Sequence, residues 1–475
     1  MTTYAYSRRC FLKAAGLGVA ALGLPGGLFA AEKGGGKKPN VLFIAVDDLR
    51  PQLGCYGHKQ MLSPNIDRLA SKGVLFTRSY CQVPVCGASR ASLLTGVRPT
   101  RDRFINYNVW AEKDLPGALS LPKHFKNNGY HTISNGKIFH HSNDCKDSWS
   151  ESPWRPRGPW KNYVLEESKR LAQKQSSGKG PAFESADVPD NAYFDGMIAD
   201  KAVSDLRRLA DMDKPFFLAL GFFKPHLPFN APKRYWDLYK REKIDLADNP
   251  FRPKGAPDEA LHNWGELRSY AGIPPKGSLP DELARTLIHG YYACVSYTDA
   301  QIGRVMAELD RLGLRKNTIV VLWGDHGWNL GEHGLWCKHC NFETSLHSPL
   351  IVTAPGIKAG QKTNALTEFL DIYPSLCQLC NLPLPTHLQG ESFIPLMKNP
   401  NRVWKEAVFS RYYNGDSVKT DRYRYTEWHR KNGARYARML YDHKTDPHEN
   451  VNISELPQNK TLVKKLSKML EKVRL

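Results

Sequence analysis

Four short apolar runs, each giving way at once to charged or imidazole side chains, constrain the fold more than any other feature of this chain. Asn40 to Val46 is almost wholly apolar and is followed by Asp47 and Asp48. A weaker run, Tyr130 to Ser134, leads into Asn135-Gly136-Lys137-Ile138-Phe139-His140. Phe216 to Leu220 leads into Gly221-Phe222-Phe223-Lys224-Pro225-His226, and Thr318 to Trp323 ends on Gly324-Asp325-His326-Gly327. Runs this short and apolar suit strands buried on both faces. Helical patterns lie between them, at 64–70, from Ser120 to near Gly129, at 190–210 and at 281–312. The alternation predicts an α/β fold with a mostly parallel central sheet flanked by helices. Open sheets of this kind place ligands at the carboxyl ends of their strands, where the polar residues of this chain collect.

A chain of 475 residues has room for one large domain and a smaller one. Ser7-Arg8-Arg9-Cys10-Phe11-Leu12-Lys13, then a glycine-diluted apolar stretch to Ala30, reads as a twin-arginine leader over residues 1–30. Such a leader predicts export by the Tat route to a periplasmic or secreted destination, with no membrane span in the mature chain. Beyond residue 385 short alternating strands replace the buried runs, and a basic amphipathic helix closes the chain. The expected division is therefore a catalytic domain at 38–385 and a C-terminal α+β subdomain with an antiparallel sheet at 386–475. Long stretches at 141–190 and 224–280, rich in Trp, Pro and Lys, are expected to shape a cleft.

The net charge of +20 favours polyanionic partners. No long basic run, zinc finger or aromatic-plus-basic signature points to nucleic acid, and a sulfated polysaccharide would be drawn by the same field. Two Cys-x-x-Cys pairs, 337/340 and 377/380, are too far apart for the usual zinc ribbon, and local disulfides or plain thiols suit them better.

Asp47, Asp48, Asp325 and His326, delivered by two strand ends, offer oxygen-rich ligands for a hard cation, calcium or magnesium rather than zinc. Each pair alone fits an ordinary strand-end turn equally well. Cys86-Gly87-Ala88-Ser89-Arg90 opens a helical pattern, so the thiol and the guanidinium share one face beside the positive helix end. Lys137 and His140, three apart, would share a face on a helical turn. His226 lies in the stiff Lys224-Pro225-His226-Leu227-Pro228 loop, and Lys338 in a loop that no regular element explains.

These segments together, in this order, resemble the type I sulfatases of the alkaline phosphatase superfamily, most closely the iduronate-2-sulfatase-like branch. The segments are Val46-Asp47-Asp48-Leu49-Arg50, Cys86 to Arg90, Gly136 to His140, Lys224 to Phe229, Gly324 to Trp328 with Leu330 to Gly334, and Lys338. The resemblance implies a sulfatase acting on a sulfated oligosaccharide or polysaccharide, with 2-O-sulfated uronates as the substrate class. It implies that a maturase oxidises Cys86 to formylglycine and that one calcium ion sits on Asp47, Asp48, Asp325, His326 and the modified Cys86. It further implies that Arg90, Lys137 and Lys338 offset transition-state charge, that His226 protonates the leaving alcohol or binds sulfate, and that His140 removes the second proton of the hydrated aldehyde. The family pentapeptide usually has proline where this chain has Ala88, a variant associated with radical-SAM maturases. The neighbouring expectations are a phosphonate or phosphate ester hydrolase of the same superfamily and an inactive, glycan-binding relative.

Overall fold

A computed structural model describes residues 37–473, and the twin-arginine segment falls outside the described residues. Seven strands form the central sheet: β1 (Asn40–Val46), β2 (Val74–Tyr80), β3 (His131–Gly136), β4 (Phe216–Phe222), β5 (Thr318–Gly324), β6 (Leu350–Thr353) and β7 (Gln361–Glu368). Their spatial order is β7-β2-β6-β5-β1-β4-β3. Every neighbouring pair is parallel except those made by β6, which runs antiparallel to both β2 and β5.

The period of two along the central strands splits the core into two layers. Leu42, Ile44 and Val46 of β1 face the same side as Leu218, Leu220 and Leu322. That side is covered by α1 (Pro64–Ser71), by α4 (Phe194–Ala210) and by the 31-residue α5 (Asp281–Arg311). Val41, Phe43 and Ala45 face the other side with Phe217, Val321 and Trp323, under α2 (Cys86–Thr95), α3 (Leu121–Asn127) and α6 (Ile372–Leu379). Side chains of β1 from Val41 to Val46 are fully buried, each worth about 1.5–3 kcal/mol when large and aliphatic. This double burial is why the run contains no polar residue until the strand has left the sheet.

The four strands expected from the apolar runs are β1, β3, β4 and β5. The sheet also takes in β2 and β7, which mix polar and apolar residues because β7 is an edge and β2 runs beside it, and the four-residue buried strand β6 between β2 and β5. Three local expectations need correction. Residues 137–140 form successive bends after β3, not a helical turn. The helix expected from residue 190 begins at Phe194, because Tyr193 is extended and separates it from a single turn at 190–192. Lys338 directly follows a two-residue ladder between 329–330 and 336–337, so its segment is anchored by regular pairing. All nine described cysteines are free thiols, which settles the open choice at 337/340 and 377/380.

The C-terminal sheet is an antiparallel meander of β8 (Ala407–Tyr412), β9 (Gly415–Thr420), β10 (Tyr423–His429) and β11 (Arg435–Asp442). Helix α7 (Lys460–Glu471) lays Val463, Leu466 and Leu470 on Val418, Tyr425 and Leu440. Glu368, at the end of β7, ties this sheet to the central one. Its buried carboxylate takes both arms of Arg98 at 2.6 and 2.7 Å, the Lys405 ammonium at 3.1 Å and the Phe409 backbone N–H at 3.1 Å. No helix among the described residues is long and apolar enough to cross a membrane.

Burial would raise the Glu368 carboxyl, but Arg98 and then Lys405 outweigh it and hold it at about 2. A carboxyl held below its unfolded value contributes stability above roughly pH 4, and that contribution is lost as pH falls toward 2. Asp371 beside it is shifted upward by burial, so the wild-type curve alone does not isolate Glu368. Glu368→Gln is expected to cost roughly 3 kcal/mol at pH 7 and to lose less stability than wild type between pH 5 and 2.5. Denaturant melts across that range check it.

Candidate active site

Asp47 and Asp48 stand where β1 leaves the sheet. Successive side chains of a strand point to opposite faces. Asp48 avoids this by adopting a left-handed backbone, φ 61°, which an aspartate tolerates better than most residues. The turn is pinned on both sides. The Asp48 N–H donates to Asp325 Oδ1 at 2.9 Å, and the Tyr291 hydroxyl donates to the Asp48 carbonyl at 2.9 Å. Both carboxylates thus come within 4.8 Å of Cys86 Sγ and a ring nitrogen of His226.

Cys86 is the first residue of α2, at the end where backbone N–H groups are free and the dipole is positive. Its sulfur lies 3.5 Å from His326 Nε2 and 4.0 Å from Asp48 Oδ1. The next four residues fix that position. A Cβ at Gly87 would lie 2.4 Å from the Tyr107 carbonyl oxygen, so only glycine lets that loop approach. Ala88 packs into the apolar layer beneath the sheet. The Ser89 hydroxyl donates to the Asp325 carbonyl at 2.5 Å. Arg90 is fully buried, with Nε 2.9 Å from Asp325 Oδ2 and Nη2 3.2 Å from Asp47 Oδ1. Arg90 also donates to the carbonyls of Lys137 and Ile138.

A second tier of charge faces outward. Lys137 Nζ meets Asp47 Oδ2 at 2.5 Å. Lys338, between two residues with positive φ (Cys337 and His339), reaches Asp48 Oδ2 at 3.0 Å and Glu266 Oε2 at 2.9 Å. His226 places Nδ1 2.6 Å from the Leu227 carbonyl and Nε2 3.1 Å from Glu266 Oε1. Glu266 is the site residue that sequence reasoning missed. It sits on a one-turn helix inside the 224–280 stretch, with no motif around it to single it out.

These groups floor a cavity of about 580 Å³. Asp47, Cys86, Lys137, His140, His226 and Lys338 line it, while Asp48, Arg90, Asp325 and His326 lie behind them, fully buried. The structure therefore brings all ten expected residues into one cluster but keeps Arg90 off the cavity wall, so its charge acts through Asp47 and Asp325. Arg155, Trp160 and Lys179 from 141–190, and Glu266 from 224–280, complete the walls. Arg155 donates to the carbonyls of Gly136, Phe139 and His140 and so holds the bends that carry Lys137 and His140.

The electrostatics separate the two cavity imidazoles. Burial lowers His140, and Lys137 adds to this against the pull of Cys86, so it stays neutral at neutral pH. Burial also penalises charge on His226, but Asp48 and then Asp47 outweigh burial and Lys338, raising it to about 10. Burial lifts Asp48, and it lifts Asp325 to about 7 despite His326 and Arg90. His326 itself rises to about 9 against burial, through Asp325 and Asp48. Asp47, Asp48, Asp325 and Glu266 face Arg90, Lys137 and Lys338, and the raised imidazoles of His226 and His326 supply the remaining positive charge. A divalent cation suits that donor set: aspartate oxygens from Asp47, Asp48 and Asp325 and one imidazole, which binds metal once its proton is released.

Comparison with known proteins identifies the family of the chain. The family described as Sulfatase matches residues 39–382, and the one described as N-sulphoglucosamine sulphohydrolase, C-terminal, matches residues 331–475. Iduronate 2-sulfatase of Mus musculus is 37% identical over 396 residues, covering 74% of this chain and 71% of that protein. Iduronate 2-sulfatase of Homo sapiens is 35% identical over 418 residues, covering 78% and 74%. The solved structure of BT4656 in complex with its substrate D-glucosamine-2-N,6-O-disulfate superposes with a TM-score of 0.73 at 22% identity, over 92% of this chain and 97% of that one, a likeness of fold.

Replacing Arg90 by Gln leaves two buried carboxylates without their shared cation. A loss of about 3–5 kcal/mol in stability is expected, read as a shifted urea midpoint. A midpoint within error of wild type would show that the bridge is dispensable.

Proposed function

Since this chain belongs to the sulfatase family and is a sulfuric ester hydrolase, we propose that it desulfates a sulfated glycan, with a 2-O-sulfated uronate as the preferred ring, through formylglycine made from Cys86 and with calcium as cofactor. The observation that carries this reading is the position of Cys86: at the free end of α2, on the cavity floor, against Asp48 and His326. The relatives named iduronate 2-sulfatase support the choice of ring.

Oxidised to formylglycine and hydrated, Cys86 would supply two hydroxyls on one carbon, a nucleophile for sulfur and a second group whose proton can be removed. Asp47, Asp48, Asp325 and His326 would hold the calcium ion, which would supply Lewis acidity. The remaining work falls to side chains of the chain itself. Lys137 and Lys338 draw the sulfate oxygens to the cavity floor and offset charge as it grows there. Asp325, with a carboxylate oxygen within 4.8 Å of Cys86 Sγ, is placed to accept the proton of the attacking hydroxyl. His226 starts protonated and gives its proton to the departing sugar oxygen. His140 starts neutral and receives the proton of the second hydroxyl as sulfate leaves. Two imidazoles displaced in opposite directions are the arrangement that acid and base roles require. Arg90 touches no substrate and keeps Asp47 and Asp325 aligned.

Oxidation of Cys86 by a maturase that accepts Ala88 precedes export of the folded chain by the Tat route to the periplasm or beyond. Cys86→Ala is expected to abolish hydrolysis of 4-nitrophenyl sulfate with an unchanged circular dichroism spectrum. Intact-mass analysis of the wild type is expected to show sulfur lost from the peptide containing Cys86. Activity near wild type in the variant would remove Cys86 from the reaction. Exhaustive chelation is expected to lower turnover at least tenfold, with recovery on adding Ca²⁺ and little on adding Zn²⁺; recovery with Zn²⁺ alone would reverse the metal assignment. A rate on an aryl phosphonate above that on the aryl sulfate would favour the phosphonate hydrolase reading.

A further inference from the structure

The cavity floor leaves few cations unpaired. Lys137 is committed to Asp47, and Lys338 to Asp48 and Glu266. Lys224 is buried against the carbonyls of His226 and Pro228, and Arg155 spends its donors on the carbonyls of residues 136–140. Lys179, which lines the cavity, and Lys161 near it differ. Lys179 Nζ is held by the Ser269 hydroxyl at 2.7 Å and lies 4.9 Å from the Tyr270 ring centre, both neutral partners. Lys161 Nζ meets the Ser177 carbonyl at 3.1 Å and lies 5.5 Å from the centre of the Trp160 ring. It also comes close to Gly178, one residue before Lys179. Among the described residues neither ammonium has a carboxylate within ion-pair distance. The acid that influences Lys179 most, Glu266, is already shared by His226 and Lys338.

Both ammonium groups are shifted downward, Lys179 by burial and then by Lys161 and Lys338, and Lys161 by burial. Two like charges held near each other at a partly desolvated mouth are stabilised by an anion between them. Trp160 lines the same cavity, is 41% exposed and stands edge-on to His226 at 5.4 Å between ring centres. An exposed indole beside the acid that serves the leaving oxygen offers an apolar surface to a sugar ring.

We infer that Lys179 and Lys161, with Trp160 beside Lys161, form a second anion subsite at the edge of the cavity. It reads a further acidic group on the sugar whose sulfate is being removed, or on the ring next to it. This rests on the sulfatase reading and extends it: the floor binds the sulfate that leaves, and the wall selects glycans carrying a second negative charge. The shared chemistry is a sugar-borne oxyanion, a uronate carboxylate or an additional sulfate.

The test compares wild type, Lys179→Met, Lys179→Arg and Lys161→Met/Lys179→Met on three esters: 4-nitrophenyl sulfate, a 2-O-sulfated uronate disaccharide, and the same disaccharide with its carboxyl reduced to the alcohol. In Lys179→Met the preference for the acidic disaccharide over the aryl ester, as a ratio of kcat/KM, is expected to narrow about tenfold, through KM rather than kcat. The double variant should narrow it further, and Lys179→Arg should restore it. The reduced disaccharide should be insensitive to both lysines if the carboxylate is the group read. If a second sulfate is read instead, sensitivity returns with a disulfated disaccharide. An equal loss on all three esters would mark Lys179 as structural and overturn the inference, as would an unchanged ratio. Titration of the acidic disaccharide into Cys86→Ser, with and without Lys179→Met, reads the same subsite without turnover. Weaker binding there with no hydrolysis by wild type would retain the subsite and sink the sulfatase reading; equal binding would sink the subsite.

Discussion

One guanidinium holds the site together. Arg90 reaches from the first turns of α2 to the carboxylates at the ends of β1 and β5, and to the chain just beyond β3. Three strand ends and one helix are thereby fixed around a point that no water reaches. Fully buried ion pairs repay their desolvation only when every polar arm is used, and Arg90 meets that condition through two carboxylates and two carbonyls. The orientation of Asp47 and Asp325, and the position of the Cys86 sulfur one turn away, depend on it.

The two tiers of the site have different tasks. Residues behind the floor are rigid and mutually satisfied. Those on the floor carry charge toward open space, with His226 shifted upward by Asp48 and Asp47 and His140 shifted downward by burial. Neither imidazole would be distinguished by its type or its spacing. The difference arises because burial prevails at His140, whereas Asp48 and then Asp47 outweigh it at His226.

Much of this was legible in the chain. Apolar runs ending in Asp47-Asp48, in Lys137 and His140, in His226 and in Asp325-His326 mark strand ends, because a strand buried on both faces can carry charge only where it leaves the sheet. The same rule misses β2 and β7, whose mixed composition reflects partial exposure near the sheet edge. It also misreads 137–140, where Arg155, beyond the reach of any helical or strand period, holds the bends through carbonyl hydrogen bonds. Glu266 and the Lys161–Lys179 wall could not be found in advance. They lie in long irregular stretches where proximity is created by tertiary packing and no period or motif records it.

The described cysteines are all reduced, and apart from Cys86 and Cys55 they are buried in or beneath the apolar layers. A framework completed by packing and ion pairs alone gains its full rigidity without any oxidant. Its thermal resistance should be indifferent to the redox poise around it.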